Sequence, residues 1–198
     1  MILYGASGHA KVIIDILKKM GIKMSTILDD DINVSSLNGY AVDHTKEFKN
    51  IGEDFIVSIG DNRTRKRVVD RNSFSYGIAI HPMSIIDDTS KVDFGSVVMA
   101  GVIINADTKI GKHCIINTSV SIDHDCVLED FVHISPNATL CGGIKIVEGT
   151  QVGAGAVIIP NLKIGKWCTI GAGAVVISDV PDGATVVGNP GRIIKSNF

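Results

Sequence analysis

The chain has 198 residues with 19 Lys+Arg against 21 Asp+Glu, a formal charge of -2. No basic excess exists to neutralise a nucleic-acid backbone, so nucleic acid is not an expected partner. No apolar run approaches the roughly 18 residues that cross a bilayer, and Met1-Ile-Leu-Tyr-Gly5 lacks a basic leader; no membrane span and a cytoplasmic location are expected. Aromatic residues are only 5% while glycine reaches 21, so aliphatic side chains must fill the core.

Residues 1–4 read as a short strand that runs into Gly5-Ala-Ser7-Gly8-His9 and then an amphipathic helix from about Ala10 to Met20, stopped by Gly21. Ile13, Ile14, Ile16 and Leu17 supply its apolar face. A second strand, about Met24–Leu28, ends in Asp29-Asp30-Asp31. A third, Phe55–Ile59, leads into Gly60-Asp61-Asn62 and a helix carrying Arg63, Arg65, Lys66 and Arg67. A short strand near Ile78–Ile80 precedes His81-Pro82, whose histidine is expected to shape the domain junction. This alternation predicts a small Rossmann-like parallel sheet with ligand loops at the strand C-termini. Gly5-x-x-Gly8 is not the dinucleotide fingerprint. A glycine turn at a helix start still lets backbone N–H groups approach a phosphate or a hydroxyl-rich ligand, and Asp29 and Asp30 can accept from a ribose or a base N–H. The alternative is a tight strand–helix turn beside a solvated acidic loop. The arginine cluster reads as a solvated helix face from which Arg65 can reach a phosphate, and His44 and His113 read as solvated surface residues.

From Ile80 to Val176 every sixth residue is aliphatic: Ile80, Ile86, Val92, Val98, Ile104, Ile110, Ile116, Ile122, Leu128, Ile134, Leu140, Ile146, Val152, Ile158, Ile164, Ile170 and Val176. A period of six does not match the 3.6 of an α-helix. It predicts a coil of short strands with three hexapeptides per triangular turn, each aliphatic pointing inward and stacking on the next coil at about 4.8 Å. Four places after each aliphatic comes a mostly small or apolar residue, such as Ser96, Cys114, Val120, Cys126, Ala138, Ala156, Cys168 and Ala174. Cys114, Cys126, Cys141 and Cys168 form no C-x-x-C pair and read as small buried side chains.

Four segments occur in order: Tyr4-Gly-Ala-Ser-Gly-His-Ala-Lys11, Ile27-Leu-Asp-Asp30, Phe55-Ile-Val-Ser-Ile-Gly-Asp-Asn62 and Asn117-Thr-Ser-Val-Ser-Ile-Asp-His-Asp125. Together with the repeat they resemble, over essentially the whole chain, the bacterial hexapeptide-repeat sugar acetyltransferases related to UDP-N-acetylbacillosamine N-acetyltransferase and sialic acid O-acetyltransferase. The resemblance implies a left-handed parallel β-helix over 80–198 behind a sugar-nucleotide domain over 1–79, and a homotrimer with active sites between prisms. It implies acetyl-CoA as co-substrate, no metal, and the 4-amino group of a nucleotide-linked, UDP-type, amino-dideoxy sugar as acceptor.

Roles follow at the matching positions. His124 is implied as general base, Asp125 as the carboxylate that orients it, and Asn117 as a residue lining the acceptor site. His133, Gly142, Gly143, Gly153, Ala154, Gly171, Ala172, Pro190 and Arg192 are implied on the coenzyme side, with the Gly142 and Gly143 N–H groups as donors to an oxyanion or the thioester carbonyl. Gly5, Ser7, Gly8, His9, Asp29, Asp30, Gly60, Asn62 and Arg65 fall on the nucleotide-sugar side. An imidazole with an ordinary pKa near 6.5 suits transfer from a thioester to an amine without a covalent enzyme intermediate. O-acetylation of a nonulosonic acid uses the same base on a hydroxyl. A metal-binding or non-catalytic prism is a further alternative, but spacings of 11 and 9 put His113, His124 and His133 at different coil positions.

Overall fold

A computed structural model describes residues 1–44 and 52–196; the last two residues of the predicted second domain lie outside that range. The N-terminal sheet is built on β1 (Ile2–Tyr4), which pairs in parallel with β2 (Thr26–Leu28) and β5 (Phe55–Val57). Beyond β2 lies β4 (Tyr40–Asp43), also parallel, with β3 (Ser36–Leu37) folded back antiparallel onto it. This hairpin is absent from the sequence expectation. Its signal was the Asn38-Gly39 dipeptide, whose two residues take positive φ (50° and 83°), the combination a tight hairpin turn demands.

The first helix, α1 (Gly8–Lys19), starts two residues before the expected Ala10 and buries Ala10, Ile13, Ile14, Ile16 and Leu17. Lys18 and Lys19 in its last turn complement the negative end of the helix dipole, and Gly21 (φ 70°) lets the chain leave. The second, α2 (Asn62–Asp70), is capped by the Asp61 carboxylate, which accepts from the Thr64 N–H at 2.8 Å.

The repeat forms a left-handed β-helix prism whose two-residue strands each end on one of the predicted aliphatics. Three faces result. One carries Ala79–Ile80, Val97–Val98, Ile115–Ile116, His133–Ile134, Gln151–Val152 and Thr169–Ile170, and is called the docked face below. The next carries Ile85–Ile86, Ile103–Ile104, Ser121–Ile122, Thr139–Leu140, Val157–Ile158 and Val175–Val176, the neutral face. The third carries Lys91–Val92, Lys109–Ile110, Val127–Leu128, Lys145–Ile146 and Lys163–Ile164, the lysine face. Strands on one face pair in parallel with a step of 18 residues, as with Ile115 beside His133.

The second inward slot has a polar variant with a clear purpose. Ser96, Thr108 and Thr150 are fully buried, and each hydroxyl donates to the corner carbonyl 15 residues ahead (Gly111, Asp123 and Gly165, at 2.8, 2.8 and 2.6 Å). Cys114, Cys126 and Cys168 hold the equivalent place with Sγ 3.1–3.2 Å from a carbonyl. All four cysteines are free, and burial pushes the Cys114 thiol up to about 12.

Beside the cluster that fills the prism, a second hydrophobic cluster joins the N-terminal region to the docked face. Outward-facing Ala79, Val97 and Ile115 on the docked face pack with Met99 against the α1 side chains. The strand expected near Ile78–Ile80 is Ala79–Ile80, the first rung of the prism. At the corner between the lysine and docked faces, positive-φ residues recur every 18 residues: Gly95, His113, Phe131, Gly149 and Trp167. His113 stacks on Phe131 with centroids 5.1 Å apart and meets Tyr76 edge-on at 4.5 Å. A Cβ on Gly95 would fall 2.1 Å from the His113 ring, so glycine is what admits the imidazole there. The expected solvated His113 is therefore a buried plug, and burial lowers its pKa to about 4.

α2 docks along this corner. Lys66 lies 5.2 Å over the Phe131 ring and Arg63 4.6 Å over Trp167. Arg65 is 1% exposed and donates to the carbonyls of His113 (2.8 Å), Phe131 (3.0 Å), Ile59 (3.0 Å) and Gly60 (3.2 Å) and to Asn62 Oδ1 (2.7 Å). Arg63 and Arg67 remain exposed as expected, whereas Arg65 is not solvated; it is the joint between α2 and the prism.

Candidate active site

His124 stands at the corner where the chain passes from the neutral to the lysine face, just after the strand Ser121–Ile122. Asp125 takes a positive φ of 59°, which turns its carboxylate back so that Oδ2 lies 2.7 Å from His124 Nδ1. That contact, followed by the charge of Asp123, raises the imidazole pKa above its usual 6.5. With Nδ1 held by a carboxylate, Nε2 is the nitrogen left to take a proton. The ring lies on Gly142, one coil further on: a Cβ at Gly142 would fall 2.8 Å from both Cε1 and Nε2. His124 is 58% exposed on its side chain.

Asn117 and His133 occupy a different corner. Asn117 follows the strand Ile115–Ile116 on the docked face, and its Nδ2 lies 3.2 Å from Nε2 of outward-facing His133. Asn117 Oδ1 already accepts from the Thr118 N–H at 2.9 Å, which fixes the amide orientation. The amide nitrogen therefore donates to His133, whose Nε2 acts as acceptor and whose Nδ1 carries the proton. Burial first, then the Arg65 and His9 charges, lowers the His133 pKa to about 3. Among the described residues, neither His133 Nδ1 nor His9 Nε2 has a hydrogen-bond partner. His9 opens α1 beside them, and burial followed by Arg65 holds its pKa near 4. Two neutral imidazoles thus line the seam between the glycine turn and the docked face.

The glycine turn is tied from below. Gly5 has φ 113°, and a Cβ there would meet Ile59 Cγ1 at 2.6 Å. Asp29 is consumed in this turn: Oδ2 accepts from the Ala6 N–H at 2.5 Å and Oδ1 from the Asp31 N–H at 2.8 Å. Asp30 borders a cavity of about 430 Å³ with Tyr4, Arg71 and Asn72. Its carboxylate accepts from the Tyr4 hydroxyl at 2.6 Å and pairs with Arg71 at 2.5 Å. Burial and Asp30 push the Tyr4 hydroxyl up to about 12. Ser7 and Gly8 are exposed at the start of α1, where backbone N–H groups lack helical acceptors.

Residues 1–72 match the family model "PglD N-terminal domain", and residues 143–178 match "Bacterial transferase hexapeptide (six repeats)". Among solved structures, a variant of perosamine N-acetyltransferase from Caulobacter crescentus, in complex with CoA and GDP-perosamine, is 34% identical. It covers 98% of this chain and 96% of its own, with a TM-score of 0.91. The acetyltransferase domain of PglB from Neisseria gonorrhoeae is 35% identical, covers 98% of both chains, and also has a TM-score of 0.91. The same domain in complex with acetyl coenzyme A is 34% identical, with the same 98% coverage of both chains and a TM-score of 0.90. The chain belongs to this family of bacterial hexapeptide-repeat sugar N-acetyltransferases.

In this acetyltransferase several residues picked from the sequence have work other than ligand binding. Arg65, expected to reach a phosphate, is sealed in the domain joint with its donors spent on carbonyls. Asn62 is buried too, donating to the Gly149 carbonyl at 3.0 Å. Gly60 lends its carbonyl to Arg65. Asp29, expected to face a ribose or base, is occupied in the glycine turn. Of the glycine pair expected to offer N–H donors, Gly143 donates to the His124 carbonyl at 2.9 Å and is not available. Gly142 has no acceptor among the described residues, but it is buried beneath the His124 ring. Gly153 and Gly171 are half-buried, and Ala154 and Ala172 stand exposed one coil apart on the corner that also carries Asn117. A Cβ on Gly153 would fall 2.5 Å from the Ala172 N, so the glycine permits close stacking of these coils. Pro190 and Arg192 lie exposed where the chain folds back as the antiparallel strand Arg192–Lys195. Among the described residues no cluster of three His, Cys, Asp or Glu that could hold a metal is present, and no helix is long and apolar enough to cross a membrane.

The sequence alone does not single out Arg71, which pairs with Asp30, or the Lys66–Phe131 and Arg63–Trp167 contacts. The bulky residues recurring at intervals of 18, His113 and Phe131 foremost, were a readable signal for that corner.

Proposed function

We propose that the chain transfers the acetyl group of acetyl-CoA to the 4-amino group of a nucleotide-linked amino-dideoxy sugar, with His124 as general base. The observation that carries this reading is the His124 corner: an imidazole with a raised pKa, Nδ1 tied to Asp125, Nε2 open, and no side chain beneath it at Gly142. The amine nitrogen attacks the thioester carbonyl carbon, and the C–N bond forms as His124 Nε2 accepts a proton from nitrogen. The C–S bond then breaks, and the sulfur of CoA leaves with the proton returned from His124.

Within one chain, His124 and the Asn117–His133 pair stand at opposite ends of the neutral face. One hexapeptide side spans up to roughly 20 Å at about 3.3 Å per residue, too far for one reaction centre. A homotrimer closes that gap by bringing the His124 corner of one copy against the Asn117 corner of the next, with the neutral face turned toward the threefold axis. The composition of that face supports this: outward positions Ile85, Ile103, Ser121, Thr139, Val157 and Val175 carry no charge, and Ile85 is 67% exposed. Ala154 and Ala172, on the same corner as Asn117, give the pantetheine a channel without bulky side chains, with Pro190 and Arg192 toward the CoA nucleotide. Gly5, Ser7, Gly8, His9 and Asp30 hold the nucleotide sugar.

UDP is the nucleotide that the family resemblance implies; GDP is the nucleotide in the perosamine complex. The test is CoA thiol release from acetyl-CoA with UDP- and GDP-linked 4-amino sugars and with sialic acid, run beside sedimentation to read the oligomer. Release with one of the amino sugars and a trimeric mass are expected. Release with sialic acid alone replaces the reading with O-acetylation, and release with none overturns it.

A further inference from the structure

His124 is supported from the coil before it as well as from Asp125. Asn105 sits 18 residues upstream of Asp123, at the same corner one coil earlier, and its Nδ2 donates to Asp123 Oδ1 at 3.0 Å. The same oxygen accepts the His124 backbone N–H at 2.9 Å. Asp123 is therefore pinned by an amide from one coil while it holds the backbone of the residue that carries the imidazole. These bonds keep the Asp123 carboxyl below the usual carboxylate range, Asn105 being the first cause. Its negative charge is the second influence, after Asp125, that raises His124.

Among the charged groups around the ring, Asp125 and Asp123 are the two that raise its pKa. The following coil presents Gly142 and Gly143 to His124, and the preceding one presents Asn105 and Ala106 to the turn. The Asp125 N–H donates to the Ala106 carbonyl at 3.0 Å, so both acidic neighbours of His124 are anchored on residues 105 and 106.

We infer that Asn105 and Asp123 are positioning residues for the acetyl-transfer step. Asn105 fixes the Asp123 carboxylate, and Asp123 fixes the His124 backbone and adds a second negative charge beside the ring. This rests on the reading of His124 as the base, so one arm of the test does not require turnover. In the full-length protein the ring of His124 is titrated by NMR in wild type, Asp123→Asn and Asn105→Ala, and kcat and KM are measured as functions of pH. Asparagine at 123 keeps an acceptor for the His124 N–H but removes the charge, so the His124 midpoint falls and the acid limb of kcat/KM moves to lower pH with it. Asn105→Ala lowers kcat by about tenfold with the KM for acetyl-CoA within about twofold of wild type. A merely structural bond would lower the unfolding temperature and move neither the midpoint nor the acid limb. An unmoved His124 midpoint in Asp123→Asn, or an unchanged kcat in Asn105→Ala, overturns the inference. A shifted midpoint in a protein that turns over none of the sugars leaves the Asp123–His124 coupling standing and overturns the acceptor assignment instead.

Discussion

His113 and His124 occupy corners of one prism, eleven residues apart, and have opposite chemistry. At the corner between the lysine and docked faces, His113 is closed in by Tyr76, Phe131 and the α2 joint, and its charged form is disfavoured down to about pH 4. At the corner between the neutral and lysine faces, His124 is open, lies beside two carboxylates, and is shifted upward. The backbone supplies equivalent turns at both places, with positive φ at His113 and at Asp125. What differs is the neighbour: α2 and Tyr76 pack on one corner, and a glycine from the next coil lies under the other. A repeat of this kind is chemically neutral, and a residue becomes a plug or a base according to what is stacked on its turn.

The sharpest way to break this contrast is His124→Ala. Turnover should fall at least about 10²-fold, the usual scale for losing a general base, with sedimentation unchanged. Wild-type turnover in that variant removes His124 from the mechanism. On the closed corner, Arg65→Ala strands the carbonyls of His113 and Phe131 in the joint. A loss of roughly 3–5 kcal/mol is expected, read as an unfolding midpoint lower by about 10 °C. A midpoint within about 2 °C of wild type refutes the joint.

Gly142→Ala sharpens the comparison from the open side. Its methyl carbon falls on the His124 ring at 2.8 Å, so kcat should drop about tenfold while the unfolding midpoint stays close to wild type. Unchanged kinetics mean that the ring is free to move aside.

The pH responses of the two corners also differ in sign. His124 takes up protons in the native state more readily than an ordinary histidine, so kcat/KM should rise with pH through a midpoint above 6.5, and Asp125→Asn should move that midpoint down. His9, His113 and His133 have native values near 4, 4 and 3 against 6.5 unfolded. The unfolded chain therefore binds more protons below pH 6.5, and stability should be full above that value and decline from there through pH 4 toward 3. Denaturant midpoints across that range check this; a flat profile contradicts burial of these rings.

The smallest effect is expected at the nucleotide turn. Asp30→Ala leaves Arg71 and Tyr4 without their shared acceptor, and the KM for the sugar nucleotide should rise several-fold with that for acetyl-CoA unchanged. A defect confined to acetyl-CoA contradicts the placement of Asp30.

The aliphatic at every sixth position from Ile80 to Val176 determined the prism, because each such side chain must leave water and only a triangular coil buries them all. The glycine turn before α1 and the run Asp123-His124-Asp125 were likewise legible, since local spacing alone places a carboxylate beside an imidazole. Tertiary structure decided the rest. Nothing in the spacing of Arg63, Arg65 and Lys66 tells a solvated helix face from a joint; only the aromatic corner beneath α2 does. Asp29, Asn62, Gly60 and Gly143 likewise have internal hydrogen bonds that the sequence does not show. Each carries a polar group whose partner comes from another segment or turn of the folded chain, so its spacing in the sequence does not reveal the bond.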